Sequence, residues 1–437
     1  MNKFLSLAAV GLSSLLALAA VQGSLAQGSF LPPLKKDQQV TISFYNYNLA
    51  SAGIGAEGTK QLIAEFEAAN PNIKVEGVPA PSNEILARLQ ADVVAGRTPD
   101  VAQIVFADYE FAINNLGVKA LEDLISPREL QAHYIGLHPR GLALAQLNKK
   151  TYGLPYVFST PVLFYNAEVF KAAGLDPNKP PRTWKEVKQY ALQIKNKANK
   201  AGIFVACHGA FDWMFQSILL SNGGRVLSED RKSLSFAEAP ALEAIKMLRD
   251  LVDSGAHPNL AAADAQAAMA AGNLGMYLQT SALQNFLLNS AKDKFELRAA
   301  KMPAFGTKTA RPVNSGSGVF IMAKDPLKQR AAWELMKFLT SKRGYTIIAS
   351  KIGYLPLRTE IVKDPAYLGA WVKDNPLILP NLEQLDRLSP WVPLPGQNYK
   401  QITKVMMDAL DQSVFGKDDP EKLMRDAQER ASGLLPK

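Results

Sequence analysis

Strand and helix signals alternate from Val40 to Phe106, and this alternation restricts the possible folds more than any other feature of the chain. VTISFYNYN has strand character, and Thr59 to Ala69 carries Leu62, Ile63, Phe66 and Ala69 at helical spacing before Asn70-Pro71 stops it. IKVEGV alternates as a strand, Glu84 to Val94 is helical through Ile85, Leu89 and Val93, and DVAQIVF returns to strand after the turn AGRTP. Successive β-α-β units predict a mostly parallel sheet with helices on its faces, because a parallel neighbour is reached only by a crossover lying over the sheet. The fold class expected is therefore α/β.

The pattern resumes downstream. PVLFYN reads as a strand, Ala167 to Ala173 and Trp184 to Lys197 as helices, and GIFVACHG as a short buried strand. Ala241 to Val252 places Leu242, Ile245, Leu248 and Val252 on one face. Asp264 to Ala271 is an alanine-rich helix leading into the strand LGMYL, and GVFIMAK precedes an amphipathic helix from Leu327 to Leu339. A chain of 437 residues exceeds what one α/β core usually supports, so two lobes are expected.

The first residues bear on location. Lys3, the apolar run Leu5 to Val21 and the small-residue site Ser24-Leu25-Ala26 have the layout of a cleaved export signal over residues 1–26. Gly11, Ser13 and Ser14 interrupt the run, which favours removal over retention as a membrane span. Residues 27–39, with Pro and Lys, read as a flexible lead-in. No later stretch is long and apolar enough to span a bilayer, so a soluble protein of the periplasm or cell-envelope exterior is expected. Cys207 is the one cysteine. It leaves no disulfide framework, lies too far from the signal to carry a lipid, and is expected as a small buried apolar residue. The 49 basic and 40 acidic residues are interspersed, giving a formal charge of +9 without a basic run. Nucleic acid, which asks for a clustered basic footprint, is not an expected partner.

Most catalytic chemistry fails on spacing. GIGAEGTK, Gly53 to Lys60, approaches a phosphate-binding loop, but Thr59 precedes Lys60 where the motif needs lysine before the hydroxyl residue. No cofactor is expected. His133, His138, His208 and His257 lack metal-ligand spacing, so no metal is expected either. SGSG at Ser315 to Gly318 lacks the first glycine of a nucleophile elbow. Asp108, Glu110 and Asp212 remain as carboxylates that a cleft might bring together for glycoside hydrolysis, a weak signal among 40 acidic residues.

GLPYVFSTPVLFYN, Gly153 to Asn166, has the content of buried β structure, yet Pro155 and Pro161 interrupt it, with Ser159 and Thr160 between them. With FEAANPNIKVE, VVAGRTPDVAQI, KAAGLDPNKPPRTWKE, AMAAGNLGMYL, AAWELMKFLTS and GYLPLR, it forms an ordered set of phrases. Together they resemble the extracellular solute-binding proteins of ABC importers, in the family-1 branch for sugars and glycerol phosphates. The resemblance runs from Val40 to Leu435. It implies a two-lobed periplasmic-binding-protein fold of type II, each lobe a mostly parallel sheet flanked by helices. The N-terminal lobe would hold residues 40–155 plus 312–355, and the C-terminal lobe 156–311 plus 356–437. Pro155 and Pro161 would then edge a hinge that lets the lobes rotate without breaking a sheet. The resemblance also implies a small-molecule solute and ABC permease subunits as partners, and a monomer.

Site residues follow from two directions. Ligands of open α/β sheets lie beyond the carboxyl ends of strands, which supplies Tyr45, Asn46, Asn48 and Asp108. The resemblance adds Ser159, Thr160, Trp213, Thr280, Ser281, Gly316, Ser317 and Tyr354. Trp213 would pack on the apolar face of a sugar ring, although FDWMFQSILL also reads as an apolar helix with a core tryptophan. Tyr45 also reads as an ordinary strand residue and Asp108 as a helix cap, while Trp391 reads either as a roof over the cleft or, the favoured reading, as loop packing. Where the glycerol-phosphate branch supplies a tyrosine, an acidic residue and an arginine, this chain has Ser82, Phe106 and, within WVPLPGQNYK, no arginine, with Arg358 left as a substitute. Phosphate calls for bidentate cationic donors, so a neutral carbohydrate is expected. Glycerol-3-phosphate or a glycerophosphodiester is the alternative ligand. A secreted polysaccharide hydrolase or lyase, and a surface interaction protein, are the rival classes.

Overall fold

A computed structural model describes residues 30–51 and 54–436; the expected signal at 1–26 lies outside these residues, as does Gly53 of the loop-like GIGAEGTK. Nine strands build two sheets: β1 (Val40–Asn46), β2 (Ile73–Pro79), β3 (Val101–Val105), β4 (Gly153–Ser159), β5 (Pro161–Asn166), β6 (Ala201–Val205), β7 (Leu274–Thr280), β8 (Leu297–Ala300) and β9 (Ser315–Ile321). The first sheet runs β2-β1-β3-β9-β4 and the second β8-β5-β7-β6.

The class is α/β, but the sheets are mixed rather than mostly parallel. β1 pairs in parallel with β2 and β3, as the β-α-β-α-β succession requires, whereas β9 runs antiparallel to both β3 and β4. In the second sheet only β6 and β7 are parallel, and β5 runs against both β7 and β8. β5 and β9 are the strands reached by passing from one sheet to the other, β4 is the strand the first sheet is left by, and hydrophobic pattern does not encode the direction of strands at such a crossing.

The proline-bearing stretch is two strands with a single residue between them. β4 is the edge of its sheet, and its pairing shifts where Ser317 faces Val157 and Gly318 faces Pro155, so the proline sits at a bulge and removes no ladder bond from a central strand. Pro161 opens β5, opposite Thr280. The expected interruption is thus confined to Thr160, and the chain changes sheets there rather than at 155–156.

Helices cover the first sheet because their apolar faces match its pleat. Ile42, Phe44, Ile104, Leu154 and Phe320 are fully buried with Leu62 and Phe66 of the helix Ile54–Ala69 and Trp333 of the helix Pro326–Leu339. Each such phenyl ring contributes roughly 2–3 kcal/mol by leaving water. Asp325 caps the second of these helices, accepting from the amides of Leu327 at 2.9 Å and Lys328 at 3.0 Å. Val162, Phe164, Phe204 and Tyr277 form a separate cluster on the second sheet.

Two segments differ from expectation. Residues 30–39 are docked rather than loose: the Leu31 amide donates to the Leu124 carbonyl at 2.9 Å, Arg330 Nη1 donates to the Leu31 carbonyl at 3.2 Å, and Leu31 and Leu34 pack on the core. After Tyr354 the chain stays on the first-sheet side, where the second lobe was expected from residue 356. Leu357 accepts from the His138 amide at 2.8 Å, and Arg358 donates to the carbonyls of Thr340, Ile135 and His133 at 2.6–2.8 Å. Only by Asn381 and Gln384 do side chains bond to Thr160 and Pro161 at the second sheet.

Candidate functional site: a cleft between the two sheets

The ends of β3, β4 and β7, the start of β9 and two helix beginnings converge on a cavity of about 460 Å³. Strand ends leave backbone groups and short side chains free, which is why open α/β sheets bind there. Six expected residues line this space: Asp108, Ser159, Trp213, Thr280, Gly316 and Tyr354. Hollows of about 660 and 740 Å³ lie on the second-sheet side and hold none of them.

Gly316 is demanded by close approach. Its φ is +111°, and a Cβ there would stand 2.1 Å from the Val157 carbonyl. Its own carbonyl accepts from the Phe106 amide at 3.1 Å, tying β9 to the end of β3. Ser159 Oγ accepts from Thr280 Oγ1 at 2.7 Å, so the last residues of β4 and β7 meet at the cavity wall.

The other six expected residues do not line the cavity. Thr160 points into the second lobe, where its Oγ1 donates to Asn381 and its amide donates to Ser281 Oγ at 3.2 Å. It directly follows Ser159, and successive side chains of an extended chain face opposite ways. Tyr45 donates its hydroxyl to Asp92 at 2.8 Å, away from the cleft. Asn46 accepts from the Leu49 amide at 3.0 Å. Asn48 and Ser317 both accept from Gln103 Nε2 at 2.8 Å, while Gln103 Oε1 accepts from the Tyr47 amide at 3.0 Å. Those residues support the floor from behind, and Tyr47 is the one that reaches the surface. β1 ends at Asn46 and Tyr47 takes helical angles, which breaks the alternation that strand reasoning assumes.

Sequence reasoning missed the helix Tyr399–Phe415, which brings Tyr399, Lys400 and Thr403 to the cavity, and it set Trp391 aside as loop packing. Trp391 lines the cavity while its Nε1 donates to Asp212 Oδ2 at 2.8 Å. Asp212 also accepts from Gln216 Nε2 at 3.3 Å. Trp213 is 3 % exposed, so it is both a cavity wall and a core side chain. Asp108 does not cap the following helix through its side chain; its carboxylate accepts from the Tyr399 hydroxyl, and Lys400 Nζ stands 3.9 Å away. Arg358 is turned from the cleft by its three carbonyl partners, and among the described residues no arginine lines the cavity.

Burial governs the charges. It raises the Asp108 carboxyl against the pull of Lys400 and Tyr399. It pushes Asp212 up to about 7, against hydrogen bonds from Trp391 and Gln216 and with a further push from Asp108. Tyr47 and Tyr354 are also raised by burial and remain neutral donors.

Aromatic walls and polar strand ends between two joined α/β bodies are the architecture of a capture protein. The chain matches the family model for bacterial extracellular solute-binding proteins over residues 61–380. It belongs to that family. Among the relatives of this solute-binding protein is a Brucella abortus (strain 2308) protein described as a binding protein, 26% identical over 380 residues, covering 85% of this chain and 88% of the relative. The sn-glycerol-3-phosphate-binding periplasmic protein UgpB of Escherichia coli O6:H1 is 24% identical over 418 residues, covering 90% and 92%. Solved structures share the fold. The cyclic alpha-maltosyl-1,6-maltose binding protein of Arthrobacter globiformis has a TM-score of 0.77 at 21% identity, covering 91% of this chain and 98% of its own. UgpB of Mycobacterium tuberculosis, in complex with glycerophosphocholine, has a TM-score of 0.78 at 21% identity with the same coverage. The two-lobed expectation is met, and the family is extracellular. No helix among the described residues is long and apolar enough to cross a membrane.

Proposed function

We propose that this protein is the substrate-binding component of an ABC importer, exported by a cleaved signal, working as a monomer, and delivering a small neutral carbohydrate to membrane permease subunits. The observation that carries this reading is the cleft's composition. Tyr47, Trp213, Tyr354 and Trp391 offer aromatic faces, Asp108 and Asp212 offer acceptors, and the one cation among the lining residues, Lys400, stands beside Asp108. Aromatic faces suit the apolar side of a sugar ring, and carboxyl and hydroxyl groups suit its edges. A solute that touches both lobes favours the closed form by those extra contacts. Micromolar capture requires about −8 kcal/mol, within reach of stacking and several hydrogen bonds after the cost of closure.

The names of the relatives favour glycerol-3-phosphate or a glycerophosphodiester as the second reading. A phosphate would meet two acidic side chains and no arginine, which disfavours it. Asp108 and Asp212, both raised by burial, are what a secreted hydrolase or lyase would present. Here each already accepts bonds from neighbouring side chains that fix it in place, which favours binding without turnover.

A thermal-shift panel of mono- and disaccharides, polyols, glycerol-3-phosphate and glycerophosphocholine, with product analysis, tests the reading. A rise in melting temperature with a neutral sugar, and no product, is expected. A response to the phosphates alone would replace the ligand class, and product formation dependent on Asp108 or Asp212 would replace the function.

A further inference from the structure

The helix Tyr109–Asn115, which follows β3 on the first-sheet side, is gripped by two elements of the second-sheet side. Arg231 Nη2 donates to Glu110 Oε2 at 2.6 Å and to the Pro393 carbonyl at 3.0 Å. The Tyr399 ring lies 5.9 Å from the Phe111 ring, beside the bond from its hydroxyl to Asp108. Glu110, Phe111, Arg231 and Pro393 do not line the cavity.

Arg231 is built to project. Its φ is +61°, a left-handed conformation unfavourable for a residue with a side chain, and such strain persists only where the surroundings impose it. The turn that imposes it is closed by the Ser228 amide donating to the Ser233 carbonyl at 2.8 Å. Within it, Asp230 Oδ1 accepts from Ser228 Oγ at 2.6 Å and from the Lys232 amide at 3.1 Å. At the other end, the Glu110 side chain is 14% exposed against 37% for Arg231. Burial raises its carboxyl even with the guanidinium opposing.

We propose that the Arg231–Glu110 contact is a closure latch: it touches no solute, but it favours the closed form of the cleft and so sets how firmly a solute is held. The inference rests on the two-lobed capture reading. Opening returns both groups to water, so the latch contributes modestly. Removing Arg231, however, leaves Glu110 buried and unpaired in the closed form only, and that asymmetry shifts the balance toward opening. Affinity follows the closed population.

Small-angle scattering of the free protein without its signal tests this. Arg231→Ala is expected to lower the closed population about three- to tenfold and to enlarge the radius of gyration, with Glu110→Gln acting in the same direction to a smaller extent. Unchanged radii in both variants would overturn the latch. If Arg231→Ala does not fold, Glu110→Gln decides alone, and an unchanged radius overturns the proposal. Should the variants expand while the wild type responds to no compound of the thermal-shift panel, the latch stands and the solute reading fails.

Discussion

Replacing Asp212 by Asn is expected to stabilise the protein at pH 8 and to leave its stability nearly unchanged at pH 4. The carboxyl is buried at the start of the apolar helix Asp212–Asn222, and burial raises it to about 7 from its usual 3.8. Between those values the folded chain binds a proton that the unfolded chain has released. Stability from this group is therefore complete below 3.8 and is lost as pH rises through about 7. The interval corresponds to roughly 4 kcal/mol at full extent. Asparagine retains an oxygen to accept from Trp391 Nε1 and has no charge to bury, so the gain at pH 8 approaches that figure, which already includes relief of the repulsion from Asp108. Urea unfolding of both proteins at pH 4, 6 and 8 reads the difference. A difference that is flat with pH, or that grows toward acid, would refute the reasoning.

Gln103→Leu removes three hydrogen bonds and leaves the Tyr47 amide, Asn48 and Ser317 buried without that partner. A loss of roughly 3 kcal/mol in urea unfolding is expected, with a weaker sugar-induced thermal shift as Tyr47 loses its support; a change below about 1 kcal/mol would refute the hub. Trp213→Ala should cost about 3–5 kcal/mol, because the side chain is core as well as wall, and should abolish the sugar-induced shift. Full retention of that shift would remove Trp213 from the site. Glu129 is raised by burial, but hydrogen bonds from Arg330, Lys337 and Trp333 outweigh that and hold it at about 2. Being depressed, it contributes stability present above its usual 4.5 and lost as pH falls through about 2, so Glu129→Gln should flatten the acid limb of the stability profile. An unchanged limb would show that other carboxylates set it.

The strands and most of the helices were legible because each buries one periodic face, and a period survives translation into sequence. VTISFYN, IKVEGV and DVAQIVF fix the first sheet's parallel half, and the ends of their strands point to the region where the cleft forms. Which side chain enters the cleft is a finer question, settled by single steps of the backbone that carry no periodic signal. Ser159 faces the cavity and Thr160 does not; Thr280 does and Ser281 does not; Gly316 does and Ser317 hangs from Gln103. Each pair offers two small polar or flexible residues of similar chemistry, so composition cannot choose between them, and the alternation that could choose is broken where strands end. Contacts distant in sequence are less legible still. Asp108 meets Tyr399 across 291 positions and Asp212 meets Trp391 across 179. These late segments complete a cleft whose first wall is built before residue 110, so the acidic groups read as free candidates for catalysis in sequence are, in the folded protein, held acceptors.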